Sequence, residues 1–517
     1  MISKNYPNIE KDISKNLYHI KEIYHSNLSP DIVIRNFCIL VNNTRYKAFI
    51  VFIDGMSDNL LINNFILKPL MLRNDSNTFD INNENFQNKK VTNFDISTYV
   101  YDCLLPQNAV DKATSFEKVL SSINIGNCIL FVDSIEYAFN LDVKGFKQRE
   151  INSPKNEIIV HGSQESFVEN LRTNTSILRR LINNENLIIE TLSVGELTKT
   201  QVAISYLSNI TNKNLITEIK RRINNLKIDY LTSSGQLEQL IQDNPNSIYP
   251  QIISTERPDK AINFLLDGRV CIIVNGSPYA LIVPGIFVDF LSSPEDLNIK
   301  YQFANLSKII RLIAVFFAVL LPGVYIGITN YHQDLIPTEL LFTIAASRES
   351  VPFPTVVEIL LMEISFELIR EAGLRVPSPL GTTIGIVGAL ILGDAAVSAS
   401  LVSPILIIVV AITAICSFSI PDFSLNFTFR ICRFIYILLG YLAGFLGIGV
   451  GIFIQLTLMC NLESFGASYL NPSEIKKRSI SNYFVLPAWK REMISKFMSP
   501  KKSRVQKHIS MNWRYKD

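Results

Sequence analysis

The alternation of apolar and polar positions changes character along this chain. Before Leu297, short apolar runs alternate with stretches of helical period, the pattern of an α/β region. Ala48–Ile53 (AFIVFI) is an unbroken apolar run closed by Asp54-Gly55, which predicts a buried strand followed by a turn. Val270–Val274 leads into Asn275-Gly276, a two-residue hairpin signal, with a return strand over Tyr279–Val283. Further on, the apolar runs lengthen. Ile309–Ile328 matches the length needed to cross a hydrocarbon core of about 30 Å, and Pro322 inside it is tolerable if neighbours satisfy the freed carbonyl. Thr382–Val402 and Pro404–Ile420 form two further apolar segments, with Pro404 as the break between them. Ile431–Cys460 is long enough to cross with tilt. Leu335–Ala346 is apolar but short, so the count is four spans, or five if this segment enters partway. The predicted fold class is an α/β N-terminal region followed by an all-α multi-span membrane domain.

The N-terminal region also repeats itself. Shifting the chain by 154 residues pairs Asn16-Leu17 with Asn170-Leu171, Ile34 with Ile188, and Leu61-Ile62 with Leu215-Ile216. Gly126-Asn127-Cys128 through Val132 echoes Gly268-Arg269-Val270 through Val274, and Tyr137-Ala138 echoes Tyr279-Ala280. Two related subdomains are expected, over 1–145 and 150–295. A membrane domain would then cover 305–465 and a tail 472–517.

Composition supports this division. The 517-residue chain has a positive mean hydropathy of +0.22. Charged residues are only 18%, against about a quarter in typical globular chains. Residues 1–308 carry 31 Lys+Arg against 33 Asp+Glu, residues 309–471 carry 6 against 10, and the last 46 carry 12 against 3. A basic tail directly after hydrophobic segments is the positive-inside signature. It places the tail in the cytosol against lipid headgroups, and lipid accounts for it more economically than nucleic acid does. Met1–Lys15 has no apolar core and does not read as a signal peptide. With both ends inside, an even number of full spans is expected.

Within the membrane half, Thr355–Arg375 carries acids on a helical period. Glu363, Glu367, Arg370 and Glu371 share one face, and Glu358 lies on another. An amphipathic helix is expected over 355–372. Acids in an apolar helix are costly in lipid, so they should face water, partners or a cavity. Two readings stand open: a cation-attracting vestibule or pore wall, and an interfacial helix with a solvated polar face. Asp394 is the one carboxylate in an otherwise apolar span. Small residues recur four apart at Gly381 and Gly385, Ala389 and Gly393, Gly440 and Gly444, and Gly447 and Gly451. That spacing lets helix backbones approach closely, within one subunit or between subunits.

Enzymatic chemistry finds no support. There is no phosphate-binding glycine loop, no HExxH and no GxSxG. The five histidines are dispersed, and the seven cysteines include no CxxC pair, which reads as packing thiols and not a disulfide scaffold or zinc site. No catalytic residue, cofactor or metal is expected.

Several motifs carry a family resemblance. Arg149, Pro154, Glu157, Gly162, Glu165, Phe167, Glu169-Asn170, Asn174 and Arg179-Arg180 form one run, and Thr255-Glu256-Arg257-Pro258-Asp259 followed by Gly268-Arg269-Val270 and Asn275-Gly276-Ser277-Pro278 form another. Pro352-Phe353-Pro354, Glu358, Arg370-Glu371-Ala372-Gly373, Arg375, Pro377, Gly381, Gly385 and Val387-Gly388-Ala389-Leu390 complete the pattern. Together they resemble the A subunits of GerA-type spore germinant receptors over nearly the whole chain from about residue 100. His161, Ser153 and Asn275 depart from the usual residues and affect only local salt bridges. The resemblance implies a multi-pass protein of the spore inner membrane, with the N-terminal domain and tail on the core side. It implies action with a transporter-like B subunit and a lipoprotein C subunit, and self-association into a ring that forms a ligand-gated cation channel. On that reading Glu358, Glu363, Glu367, Glu371 and Asp394 are the candidate pore or gate residues, and Gly381, Gly385, Gly388, Gly393, Gly440, Gly444, Gly447 and Gly451 the packing positions. The rivals are a non-conducting scaffold that docks partners and a paralogous component of the dipicolinic-acid release machinery. A secondary transporter fits less well, because four spans are few for alternating access.

Overall fold

The computed structural model describes residues 6–41, 44–72, 96–145, 161–375 and 393–470, with the isolated positions 154, 157, 159, 484 and 485. Two five-stranded sheets come first. One contains β1 (Ile32–Val41), β2 (Thr44–Ile53), β3 (Val110–Ala113), β4 (Cys128–Val132) and β5 (Ala138–Leu141), in the order β1-β2-β4-β5-β3. The other contains β6 (Leu187–Val194), β7 (Thr200–Leu207), β8 (Ile253–Thr255), β9 (Val270–Val274) and β10 (Ala280–Val283), in the order β6-β7-β9-β10-β8. The orders are identical, and the pairings within both sheets are antiparallel.

Ala48–Ile53 is unbroken in apolar residues because both faces of its sheet are covered. Phe49, Val51 and Ile53 pack with α1 (Ile13–Ile23) and α2 (Phe116–Ile125), while Ala48, Ile50 and Phe52 pack on the opposite side with Ile62, Ile66 and Val100. The second sheet repeats the arrangement. One face packs on α4 (Lys213–Asn224) and α5 (Ser234–Ile241), the other on α3 (Leu171–Leu181) and α6 (Pro258–Leu266). Gly126 and Gly268 stand at equivalent points, ending α2 and α6 with φ of 101° and 90°. A left-handed residue is needed there to turn each helix into its strand, which is why glycine recurs.

Two local expectations are corrected. The β9–β10 connection is a five-residue loop, 275–279, and not a two-residue turn. Gly276 donates its N–H to the Glu169 carbonyl, at 2.8 Å, so the loop reaches outward to grip the segment before α3. The offset of 154 is also one helical turn short at the first helix. Asn16 bonds both the N–H and the carbonyl of Glu10, and Asn174 bonds both groups of Val168. The equivalent asparagines are therefore 158 apart. Asn305 holds Val485 with the same two bonds, at 2.7 and 3.1 Å.

The remainder is helical: α7 (Tyr301–Tyr331), α8 (Thr338–Arg348), α9 (Thr355–Arg375), α10 (Pro404–Phe418) and α11 (Phe423–Asn461). The main correction lies in α11. Ala443 and Gly444 leave helical geometry, with Gly444 at φ 57°. Beyond them the chain doubles back. The Tyr436 hydroxyl donates to Gln455 Oε1 at 2.5 Å, although nineteen residues of straight helix would separate them by about 28 Å. The expected single span over Ile431–Cys460 is therefore a helical hairpin of arms 423–442 and 445–461.

Neighbouring contacts fix the helix directions. A Cβ on Gly440 would sit 2.5 Å from the Gly323 carbonyl oxygen, and Gly327 abuts Gly444, so α7 and the first arm run parallel with their backbones touching. Of the predicted packing glycines, Gly440 and Gly444 thus serve contacts within the chain. Gly447 and Gly451 seat the second arm against Leu439 and Tyr436 of the first. Gly393 meets only Ile407, at 4.0 Å, and Gly381, Gly385 and Gly388 lie outside the described residues. Both arms are anchored in the second sheet's core, which continues unbroken through Leu425, Phe429, Cys432, Tyr436, Ile448, Met459 and Tyr469.

At this seam, Glu238 of α5 lies near Asp422, the capping residue of α11. Burial, reinforced by the charge of Asp422, pushes the Glu238 carboxyl up to about 7. The folded state then holds a proton that the unfolded chain releases at about pH 4.5. Stability therefore falls as pH rises between about 5 and 7, because the unfolded state binds fewer protons there. Melting temperature measured across that window should decline in the wild type, and Glu238→Gln should flatten this part of the slope.

Candidate functional site

The chemistry-bearing part of the helical region centres on α9. Pro354 precedes the helix, and no glycine or proline interrupts it before Gly373, so it runs straight past its neighbours. Its acids do not share a solvated face: Glu358 and Glu363 are both 0% exposed. Glu363 accepts from Arg433 Nη1 at 2.5 Å, with side chains only 1% and 3% exposed. Glu367 accepts from Arg430 Nη1 at 2.5 Å and lies 3.9 Å from Arg370. Arg370 donates to Ser417 Oγ at 2.8 Å and stacks on Phe418. Glu358 accepts the Ser403 backbone N–H at 3.1 Å and stands 3.6 Å from Arg348 Nε.

The spacings explain the ladder. Glu363 and Glu367 are one turn apart on α9, and Arg430 and Arg433 one turn apart on the first arm of α11. Pairing 363 with 433 and 367 with 430 requires the two helices to run antiparallel. Pairing 358 with 403 and 370 with 417 sets α9 and α10 parallel. The inner acids are matched by guanidiniums from other helices, so this face is close to neutral and not a free acidic wall. The expectation had singled out the acids and passed over Arg430 and Arg433. Their signal was in the sequence: they are the only basic residues within α11, spaced to meet an i, i+4 acid pair.

The outer candidates lie elsewhere. Glu371 is exposed and, with Glu367, Ile364, Leu368, Phe427, Arg430, Ile431 and Phe434, lines an open groove of about 360 Å³ between α9 and α11. Asp394 is exposed and outside the ladder. No group of three or more His, Cys, Asp or Glu that could hold a metal occurs among the described residues, and the seven cysteines are free thiols.

The Thr255–Asp259 motif has a structural job in the second subdomain. Arg257 is 0% exposed and donates to both Asp259 carboxylate oxygens, to the Glu157 carbonyl and to the Ser163 carbonyl. Lys260 pairs with Glu157 at 2.6 Å, and the Thr255 hydroxyl donates to the same carboxylate. These bonds tie Glu157 and Ser163 to the start of α6. Arg269 in turn pairs with Asp289 at 2.5 Å and stacks on Phe264.

Comparison with known proteins gives consistent matches. The sequence profile of the family described as Bacillus/Clostridium GerA spore germination protein matches residues 18–496. Spore germination protein KA of Bacillus subtilis is 37% identical over 464 residues, covering 90% of this chain and 82% of that protein. Spore germination protein A1 of the same organism is 40% identical over 357 residues, covering 69% and 74%. A crystallised N-terminal domain of the A subunit of the Bacillus megaterium spore germinant receptor GerK3 is 31% identical, covers 55% of this chain and 99% of its own, and superposes with a TM-score of 0.39. A match of that extent to the family, with relatives aligned over nine-tenths of the sequence, leaves one assignment: this chain belongs to the GerA spore germination protein family.

Proposed function

We propose that this protein is a membrane subunit of a spore germinant receptor, and that it assembles into a ligand-gated cation channel. A role in germination follows from the kinship with spore germination proteins. The observation that carries the channel reading is the charged ladder of Glu363, Glu367, Arg430 and Arg433 inside apolar helices. Ionisable groups at such depth are expensive, and helix packing alone does not require them. α7 is long and apolar enough to cross a bilayer.

The helix directions give the described part of the path: α7 leaves the sheets, α9 and α10 run back, and the hairpin leaves and returns once more. On this reading the protein works with a transporter-like and a lipoprotein partner in the spore inner membrane, and a germinant acts by favouring one state of the ladder.

A non-conducting scaffold is the second reading, and the buried bond of Arg433 to Glu363 favours it, since a charge-matched pair suits static packing. Rubidium flux into proteoliposomes carrying the full chain, its two partners and nutrient separates them. The channel reading expects nutrient-dependent flux that loses rate or cation selectivity in Glu367→Gln. An assembled, nutrient-binding complex that passes no ions leaves the scaffold.

A further inference from the structure

We propose that Glu358, Ser403 and Tyr325 form a binding site for a monovalent cation, filled in this conformation by the guanidinium of Arg348. The proposal rests on the channel reading and names the gate within it.

Four elements meet at this point. Glu358 comes from the first turn of α9, Tyr325 from α7, Ser403 from the cap of α10, and Arg348 from the end of α8. Glu358 is 0% and Ser403 1% exposed. Glu358 Oε1 and Arg348 Nε are buried atoms without a hydrogen-bond partner, and the buried Ser403 and Tyr325 hydroxyls have at most each other. The Tyr325 hydroxyl lies beside the Ser403 side chain and within electrostatic range of both Glu358 and Arg348. Buried polar atoms are normally satisfied, so converging orphans mark a place built for something else.

Arg348 differs from Arg430 and Arg433. Arg433 and Arg430 close on their carboxylates at 2.5 Å, whereas Arg348 stops 3.6 Å from Glu358, beyond hydrogen-bond range. It neutralises the charge without making the bond. Its side chain is 27% exposed, and it sits on a helix with only Ile344 buried. It can therefore withdraw without unpacking a core. When it does, the Ser403 N–H still holds the Glu358 carboxylate in place. One carboxylate and two hydroxyl oxygens then offer oxygen ligands with a single negative charge, which suits a partly dehydrated monovalent ion. A divalent ion demands more carboxylates. Thr355, one turn earlier on α9, hydrogen-bonds Asn330 at the exposed end of α7, so a polar approach reaches the site from that end.

The test uses the full chain and rubidium. In detergent, Arg348→Gln should show a melting temperature that rises when rubidium replaces choline at constant ionic strength. Wild type and the double variant Arg348→Gln/Glu358→Gln should show no such rise. In proteoliposomes, Arg348→Gln should pass rubidium without nutrient, about tenfold faster than wild type, because one interaction specific to the closed state has been removed. If Arg348→Gln does not assemble, Arg348→Lys, which keeps the charge but not the guanidinium, is read in the same two ways with smaller shifts. A folded variant with no rubidium-dependent shift, or an equal shift in the double variant, overturns the site. A rubidium shift with no flux in any protein, including nutrient-treated wild type with partners, keeps the site and removes the channel. Nutrient-dependent flux in wild type, with Arg348→Gln inert in both readouts, removes the tethered cation and keeps the channel.

Discussion

Glu363→Ala should destabilise the protein by about 3–5 kcal/mol, the cost of stranding one member of a buried ion pair. Arg433 is 3% exposed, and its Nη1 bond to Glu363 is the only hydrogen bond it makes among the described residues. Without the carboxylate its charge must be buried unpaired or drag water into the bundle. Arg433→Met should cost a similar amount, for the mirror-image reason. The double variant Glu363→Leu/Arg433→Met should recover most of the loss, since a well-packed apolar pair often equals or betters a buried ionic one. Thermal unfolding of wild type, Glu363→Leu, Arg433→Met and Glu363→Leu/Arg433→Met in one detergent forms a double-mutant cycle. Losses that simply add would mean the two groups do not act as a pair. The double variant also separates stability from function: a protein restored in melting temperature but inactive in germination would assign the pair to the mechanism and not to packing.

Arg257→Ala should cost about as much, 3–5 kcal/mol, but in the soluble region. Its guanidinium serves Asp259 and two carbonyls, those of Glu157 and Ser163, and all three partners lose their donor together. Arg257→Lys should rescue little, because an ammonium cannot present the planar fork that reaches both sides. The expected readouts are a lower denaturation midpoint and faster protease cleavage near residues 157–163, with the first sheet unaffected. A variant that melts like wild type would show that the motif's arginine is not the staple its geometry describes.

Different parts of this protein were legible to different degrees. Local pattern sufficed where burial is decided by nearby residues. The two-faced strand Ala48–Ile53 and the start of α10 at Pro404 follow from side-chain period or backbone restriction. The repeat was visible for the same reason, since the same turns and strands recur in the same order. Its register at the first helix was not, because the feature held in common is an asparagine clamp whose partner lies six residues away and leaves no periodic trace.

The helical region was less legible, and the cause is physical. In an apolar run, composition reports that a helix can be buried or embedded in lipid but not where it turns. A single glycine at positive φ, Gly444, converts one long run into a hairpin, and other glycines nearby do nothing of the kind. Charge pairing lay further out of reach, because Glu363 and Arg433 are 70 residues apart and meet only when α9 and α11 cross antiparallel. The sequence by itself determined the division into a sheet region, an apolar helical region and a basic tail, the family, and the presence of acids where acids are costly. Only the tertiary structure decided that those acids are matched by guanidiniums and that Arg348 stands 3.6 Å from Glu358. Which charges meet depends on helix direction and register, and contacts between distant segments set both.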